Sequence, residues 1–385
     1  MADSNNMSDL WKRLRFVLIG IIVYRIGTHI PIPGIDPQRL SSLFDQNQGT
    51  ILELFNLFSG GALERMSIFA LNVVPYISAA IIMQLFSNSI PYLIELKKDG
   101  QAGRNAITQY TRYGTVLLAF IQASALAVTL SSGGLAYNPG TAFFVSAVFS
   151  VVAGTIFLMW LGEQISERGI GNGISIIIAT SILTGIPSAI GQALEQARQG
   201  DLNILMLLSI GVLAMVVIAV VVFIERGQRR ITVNYAQRQQ GRKLMQAQAS
   251  HLPFKVNMAG VIPAIFASTF LLFPASLSTW FGQGENFGFL QSISLALNPG
   301  QPLYVLTFAA LIISFCFIWL ALTFNTREVS DNLKRSGAYI PGIRPGEQTA
   351  GYIDNVLARL TVFGSIYLTL ISVSYTHLRA HETTL

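Results

Sequence analysis

Apolar stretches of membrane-spanning length recur along the whole chain and limit what it can fold into. A hydrocarbon core of about 30 Å needs about 20 mostly apolar residues per helix. Nine stretches approach that length, at residues 16–30, 73–90, 113–130, 141–161, 174–190, 204–224, 258–281, 303–324 and 360–373. Only 11% of the residues are charged, against about 25% in soluble domains. We therefore predict an all-α polytopic membrane protein.

The basic residues between these stretches predict its orientation, because cytoplasmic loops carry an excess of Lys and Arg. With a cytoplasmic N-terminus, 20 of the 25 basic residues fall in inner loops and 3 in outer loops. The inner loops 225–257 and 325–359 hold 12 of those 20. Anchoring the topology needs only a few of them. The surplus predicts a docking surface for an acidic partner, either protein or ribosomal RNA.

Residues that could perform catalysis or bind a metal are few. Cys316 is the only cysteine, which excludes an intrachain disulfide and a cysteine-based metal site. His377 and His381 are four residues apart but have no third ligand nearby. The glycines of ERGIGNG, residues 167–173, lack the spacing of a phosphate-binding loop and predict a tight turn between two helices. We expect no enzyme activity, no cofactor and no metal, so that a partner must supply energy for any work.

Arg25 is the only Asp, Glu, Lys or Arg within the predicted spans. It lies close enough to a span end to snorkel or to pair. Because proton relays place ionisable groups across the membrane core, this argues against proton-driven transport. A secondary transporter with a substrate site at a broken helix stays an alternative.

One apolar stretch, SGGALERMSIFALNVVPYISAAIIMQLF at residues 59–86, is interrupted by Asn72 and Pro75. Proline lacks an N–H and disfavours helix in the residue before it, which predicts a break at 72–75. In lipid such a break is tolerated only where protein or water surrounds it. We predict that 59–70 forms a short helix entering the protein interior from outside. The alternative is an interfacial helix lying on the membrane surface.

Several stretches resemble the SecY (Sec61 alpha) family of protein translocase channels. SIFALNVVPYISAAIIMQLF and WLGEQISERGIGNGISIII are similar to its signature sequences, and ERGQRRITVNYAQRQQG, HLPFKVNMAGVIPAIFAS and GIRPGEQTA also match. The resemblance runs over residues 14–373 and implies ten spans in two pseudo-symmetric five-helix halves, hinged like a clamshell. We expect an N-terminal half at 1–190, a C-terminal half at 191–373 without its tenth span, and an unrelated tail at 374–385.

The resemblance also implies which residues close the channel. Its plug, a stopper in the outer funnel, corresponds to Ser59, Gly60, Gly61, Ala62, Leu63, Glu64, Arg65, Met66, Ser67, Ile68, Phe69 and Ala70. The plug hinge corresponds to Asn72 and Pro75, with Asn72 at a position where the family usually has glycine. An apolar constriction, the pore ring, corresponds to Val73, Ile77, Ile178 and Ile265. The seam between spans 73–90 and 258–281 resembles a lateral gate to lipid.

The resemblance implies docking sites in the two long inner loops for the motor ATPase SecA and for the ribosome, through its protein and rRNA. The corresponding residues are Arg230, Arg238, Arg242, Lys243 and Arg344, whereas Gln237 replaces one basic position. Other implied partners are SecE, SecG, signal peptides, nascent chains, membrane lipid, the YidC insertase and the SecD/SecF complex. The implied function is conduction of unfolded secretory polypeptides across the bacterial inner membrane and lateral release of transmembrane segments.

Overall fold

The chain divides into two compact units in the computed structural model. The first contains Met1–Leu202, with 271–301 and Arg379–Leu385, and the second contains Asn203–Phe270 and Pro302–Leu378. The structure describes residues 2–36, 39–40, 56, 59–199, 204–235, 239–240, 243–244, 249–268, 270–271 and 301–382. The predicted boundary at residue 190 stays a prediction.

Among the described residues of the first unit, the regular elements are all helices. Its helices are α1 (Ala2–Gly27), α2 (Val74–Ser89), α3 (Pro91–Lys98), α4 (Gln101–Ser132), α5 (Thr141–Arg168), α6 (Gly173–Leu183) and α7 (Gly185–Gln199). α5 packs against α1, α4 and α6, and α4 also packs against α2. The core of this unit therefore lies around α5, whose buried face combines small residues such as Ala147 and Gly154 with larger apolar ones such as Phe143 and Leu158.

The glycine turn between α5 and α6 has the conformation that its sequence predicts. Gly171 has a φ of +74°, which glycine adopts without a side-chain penalty. A Cβ on Gly173 would overlap the carbonyl oxygen of Gly162. Asn172 then caps α6, because its Oδ1 accepts a hydrogen bond from the amide of Ser175 at 3.2 Å. The turn thus brings two helices into close backbone contact, as expected for a tight connection.

The second unit combines apolar helices with a small sheet. Its elements are α8 (Ile204–Arg226), β1 (Gln228–Tyr235), β2 (Gln239–Gln240), β3 (Lys243–Leu244), β4 (Ala249–Lys255), α9 (Pro302–Thr323), α10 (Thr326–Arg335), β5 (Ala338–Tyr339) and α11 (Glu347–Glu382). β1 pairs with β4 and with β5, both antiparallel, in the order β4-β1-β5. This sheet was not predicted from the sequence. Alternation of buried Ile231 and Val233 with exposed Arg230 and Thr232 is the pattern that forms it.

Within the described residues, five helices are long and apolar enough to cross a membrane, or six if the bent pair α2 and α3 is one span. α2 and α3 meet at an angle of 93°. α1 is not among them, because its apolar half follows Lys12, Arg13 and Arg15. The chain is a multi-pass membrane protein. In the predicted span 258–281, residues 269 and 272–281 lie outside the described residues, and 262–268 and 270–271 are helical.

Three predicted boundaries differ from the structure. The stretch 174–190 is two helices, α6 and the start of α7, separated by a turn at Thr184. The inner loop 325–359 contains α10, β5 and the first turns of α11. α11 also continues to Glu382, so the polar tail is helical through that residue. In all three places the predicted boundary followed the edge of the apolar run. Where a helix ends is fixed instead by its backbone hydrogen bonds.

Candidate functional site

Residues 59–70, here called the plug segment, do not form the predicted helix. From Gly60 to Val73 the described chain is a series of turns, with one isolated bridge at Ser67. Gly60 and Gly61 have φ values of +66° and +79°, and Met66 has a φ of 42°. A right-handed helix requires negative φ at every residue. The paired glycines and Met66 therefore interrupt helix formation.

The predicted break at 72–75 is confirmed. Asn72 has a φ of 49°, in the left-handed region that asparagine tolerates better than most residues. α2 begins at Val74, with Pro75 in its first turn, where the missing N–H costs no helical hydrogen bond. Asn72 thus interrupts right-handed helical geometry at the junction, and α2 starts as a new helix at Val74.

The plug segment lies in the interior of the first unit, so the interfacial alternative is wrong. Leu63, Met66 and Ala70 are buried in one apolar cluster with residues of α4 and α5. The backbone of this segment also pairs with the chain that follows α1. Ile32 N donates to Met66 O at 2.8 Å, and Ile68 N donates to Ile30 O at 3.0 Å. Apart from the exposed Glu64 and Arg65, the broken element is therefore enclosed by protein, which is where irregular backbone is tolerated in a membrane.

α1 holds the start of the plug segment through two carbonyl groups. Tyr24 Oη donates to Ser59 O at 3.1 Å, and Arg25 Nη1 donates to Gly60 O at 3.1 Å. Arg25 thus pairs, which is one of the two roles that its position near a span end indicated. A charge-assisted bond to backbone is stronger than a neutral one.

Two more residues bind the junction between the plug segment and α2. Ser181 Oγ on α6 lies 2.6 Å from Tyr24 Oη and accepts a hydrogen bond from Asn72 Nδ2 at 3.1 Å. Neither Tyr24 nor Ser181 was predicted from the sequence as a site residue. The available signal was a hydroxyl within an otherwise apolar run, which predicts a partner but does not say which residue it is.

Three of the four predicted pore-ring residues share one apolar cluster. Val73 is buried, and the half-buried side chains of Ile77 and Ile178 pack against the same cluster. Ile265 belongs to the second unit, in the helical segment 262–268. The first unit therefore brings Val73, Ile77 and Ile178 together beside the plug segment. The assignment of a ring and the lateral gate stay predictions.

The two inner loops form one body in the second unit. Asn234 of β1 pairs with Tyr339 of β5, which joins loop 225–257 to loop 325–359. Ile231, Val233 and Phe254 from the first loop pack in one core with Ala338, Ile340, Ile353 and Leu357 from the second. The predicted docking surface therefore rests on a folded body with its own core.

Arg230 and Arg344 are exposed on this body. Arg230 lies on the solvent face of β1, opposite Pro253. Arg344 lies in a turn whose backbone is fixed from both sides: Thr349 Oγ1 donates to Arg344 O at 2.9 Å, and Ser330 Oγ donates to Gly346 O at 2.6 Å. Lys243 is in β3, whereas Gln237, Arg238 and Arg242 lie outside the described residues.

The sequence model of the SecY family matches residues 67–384, more than half of the chain. The protein translocase subunit SecY of Pseudomonas aeruginosa is 62% identical over 367 residues, which cover 95% of this chain and 83% of that protein. The chain belongs to the SecY family. Solved SecY-type structures share its fold as well. A SecY channel whose plug domain stabilises the closed state is 17% identical, with a TM-score of 0.66 over 98% of this chain and 93% of that one.

A second structural neighbour of this SecY-family chain is Sec61 from the canine ribosome–channel complex. It is 15% identical, with a TM-score of 0.63 over 98% of this chain and 93% of that one. Identity at this level supports the fold alone. The described ranges contain no group of three His, Cys, Asp or Glu side chains that could hold a metal.

Proposed function

We propose that the chain is the channel-forming subunit of a protein translocase, which conducts unfolded secretory polypeptides across the membrane and releases transmembrane segments into lipid. The observation that carries this proposal is the broken element itself. A segment without regular helix is held inside the first unit, next to branched apolar side chains. Irregular backbone at membrane depth is tolerated only inside protein or along a water-filled cavity, and the plug of a channel lies in such a place.

The closed state follows from the chemistry of Val73, Ile77 and Ile178. A channel for arbitrary polypeptides must exclude ions at rest yet bind no passing side chain tightly. Branched apolar side chains meet both demands, since a narrow apolar constriction excludes water and carries no fixed charge. Ile265, which the family resemblance adds to this ring, is part of the same proposal.

Opening can be driven by the substrate. A signal segment of about ten Leu-like residues gains roughly 0.5 kcal/mol for each residue that enters lipid, or about 5 kcal/mol in total. That energy shifts a two-state equilibrium by about three to four orders of magnitude. We infer that signal segments part the gate and displace the plug segment, with a motor ATPase or a ribosome supplying the chain.

The folded inner-loop body supports docking of such partners. Its exposed Arg230 and Arg344 offer guanidinium groups suited to carboxylates and phosphates. We propose SecA and the ribosome as occupants of this surface, and SecE, SecG, YidC and the SecD/SecF complex as membrane partners. With 20 basic residues in the inner loops and 3 in the outer loops, the sequence supports a cytoplasmic N-terminus. We assign the chain to the bacterial inner membrane.

Photocrosslinking of a stalled nascent chain tests this function. A photoreactive residue at position 77 should crosslink to the translocating segment. The same residue at Phe223, which is 80% exposed on α8, should not. A secondary transporter would instead show saturable uptake of a small solute and no crosslink at position 77. That result would overturn the proposal.

A further inference from the structure

A buried hydrogen-bonded cluster joins α1, α6 and the junction at Asn72. Tyr24 Oη lies 2.6 Å from Ser181 Oγ and 3.1 Å from the carbonyl oxygen of Ser59. Asn72 Nδ2 donates to Ser181 Oγ at 3.1 Å. These four residues are at most 2% exposed. Buried polar groups in such a network depend on one another, because water cannot replace a lost partner.

The number of hydroxyl hydrogens available for donation shows that Ser181 is the centre of the cluster. The hydroxyls of Tyr24 and Ser181 carry one hydrogen each. If Tyr24 donates to Ser59 O, Ser181 donates to Tyr24, and a chain of bonds runs from Asn72 to the plug segment. If Tyr24 donates to Ser181, then Ser181 donates to Ile177 O, 2.9 Å away. In both arrangements Asn72 and Tyr24 bond to Ser181.

The cluster is in contact with the start of the plug segment. A Cβ on Gly60 would lie 3.1 Å from the Cα of Ser181 and 3.1 Å from Thr184 Oγ1. The backbone at Gly60 therefore rests on α6, and its φ of +66° admits glycine best. Movement of the plug segment away from α6 has to separate Ser59 from Tyr24 and expose Ser181.

We propose that Tyr24, Ser181 and Asn72 are positioning residues that latch the plug segment closed and set how readily the channel opens. The proposal rests on the proposed channel function. Leaving the closed position breaks these buried hydrogen bonds, so the latch favours the closed state. It would act as a threshold that a signal segment must overcome. A weaker latch would admit defective signal segments.

Three substitutions remove one part of the latch each. Tyr24→Phe deletes the hydroxyl but keeps the ring, which stacks on Phe69 with centroids 6.1 Å apart. Asn72→Gly deletes the amide but keeps access to positive φ. Ser181→Ala deletes the hydroxyl at the centre of the latch. Thr180→Val is the matched control, because Thr180 Oγ1 donates to Ile176 O at 2.8 Å within α6 and lies outside the latch.

Cysteine accessibility measures the opening in the complete chain, reconstituted with its translocase partners in lipid vesicles. Ala62 in the plug segment is 0% exposed, and Cys316 is the only native cysteine and is buried. In an Ala62→Cys background, each latch substitution should raise the rate of maleimide labelling about 3- to 10-fold, the range for hydrogen bonds in membrane proteins. Thr180→Val should leave it unchanged. Adding Asn72→Gly to Ser181→Ala should change the rate by no more than about 2-fold, because the bond from Asn72 Nδ2 ends on Ser181.

An unchanged rate of maleimide labelling in the three latch variants would overturn the proposal. An equal increase of that rate in the Thr180→Val variant would overturn it as well. Thermal unfolding in detergent, followed in parallel, identifies a merely structural role: a lower Tm with unchanged labelling also overturns the proposal. Export of a precursor with an intact signal segment separates the two proposals. If the Ala62→Cys chain exports it and labelling is unaltered, only the latch fails. If the unsubstituted chain exports nothing, the channel function fails.

Discussion

Arg112 and Glu163 form a bidentate ion pair that joins α4 to α5. Arg112 Nε donates to Glu163 Oε1 at 2.9 Å, and Nη2 donates to Oε2 at 2.7 Å. Glu163 is only 18% exposed, which reduces screening by water. Lysine cannot reproduce the two parallel bonds of a guanidinium. The pair therefore fixes the relative position of two helices that contribute to the core of the first unit.

We expect Arg112→Lys to lower the stability of the first unit by about 1 kcal/mol, because the pair is partly exposed and loses one bond. Thermal unfolding in detergent measures the change. Arg13→Lys is the control, since the Arg13–Asp9 pair on α1 is exposed on both sides. Equal Tm shifts in the two variants would show that the bidentate geometry contributes nothing.

Gly154 on α5 allows the plug segment to approach that helix. A Cβ at this position would overlap the carbonyl oxygen of Ile68. Gly154→Ala should therefore push Ile68 away and raise the resting ion conductance of the reconstituted channel several-fold. Gly211→Ala on α8 is the matched control, because its Cβ would meet nothing within 4 Å. A resting conductance equal to that of the control would contradict this reading of the contact.

Ile77 and Ile178 carry the proposed seal. Ile77→Asn and Ile178→Asn should increase ion leak and loosen selectivity for signal segments, because an amide side chain favours water in a narrow passage. Planar-bilayer conductance of the reconstituted complex measures the leak. Ile82→Asn is the control, on the same helix as Ile77 but with 40% of its surface exposed. Unchanged conductance in both ring variants would remove the ring assignment.

Arg344 is the exposed guanidinium of the inner-loop body that we expect to meet the motor ATPase. Arg344→Glu should reduce motor-driven export by roughly 10-fold or more, since a charge reversal in a docked interface costs several kcal/mol. Folding should be spared, because the side chain is exposed. Arg327→Glu on α10 is the matched control, also exposed. Normal motor-driven export through the Arg344 variant would refute the contact.

The hydroxyls of Ser330 and Thr349 hold the turn that presents Arg344. Both residues are 2% exposed, and each donates to a carbonyl of this turn. Ser330→Ala and Thr349→Val should each cost about 1 kcal/mol locally, which raises amide hydrogen exchange at 342–348 about 5-fold. Export should fall although Arg344 is retained. Ser336→Ala is the control, because its hydroxyl bonds Asn332 O within one turn. The same exchange rates in all three variants would show that the hydroxyls of Ser330 and Thr349 do not hold this turn.

Much of the candidate site could be predicted from the sequence because its signals are local. Asn72 and Pro75 marked the break, since their backbone preferences act on neighbouring residues. The glycine turn at 169–173 and the basic excess in the inner loops are signals of the same kind. The helix predicted for the plug segment was wrong because its backbone follows pairing with residues 30–32, more than 30 positions away.

The sequence by itself determined that this protein crosses the membrane repeatedly, where one span is broken, and which family it belongs to. These properties follow from hydropathy, proline geometry and residue identity. Only the tertiary structure decided that Tyr24, Ser181 and Asn72 meet and that β1 and β5 join the two inner loops. Hydrogen-bond partners distant in sequence are selected by packing, and no local preference of a serine or a tyrosine specifies them.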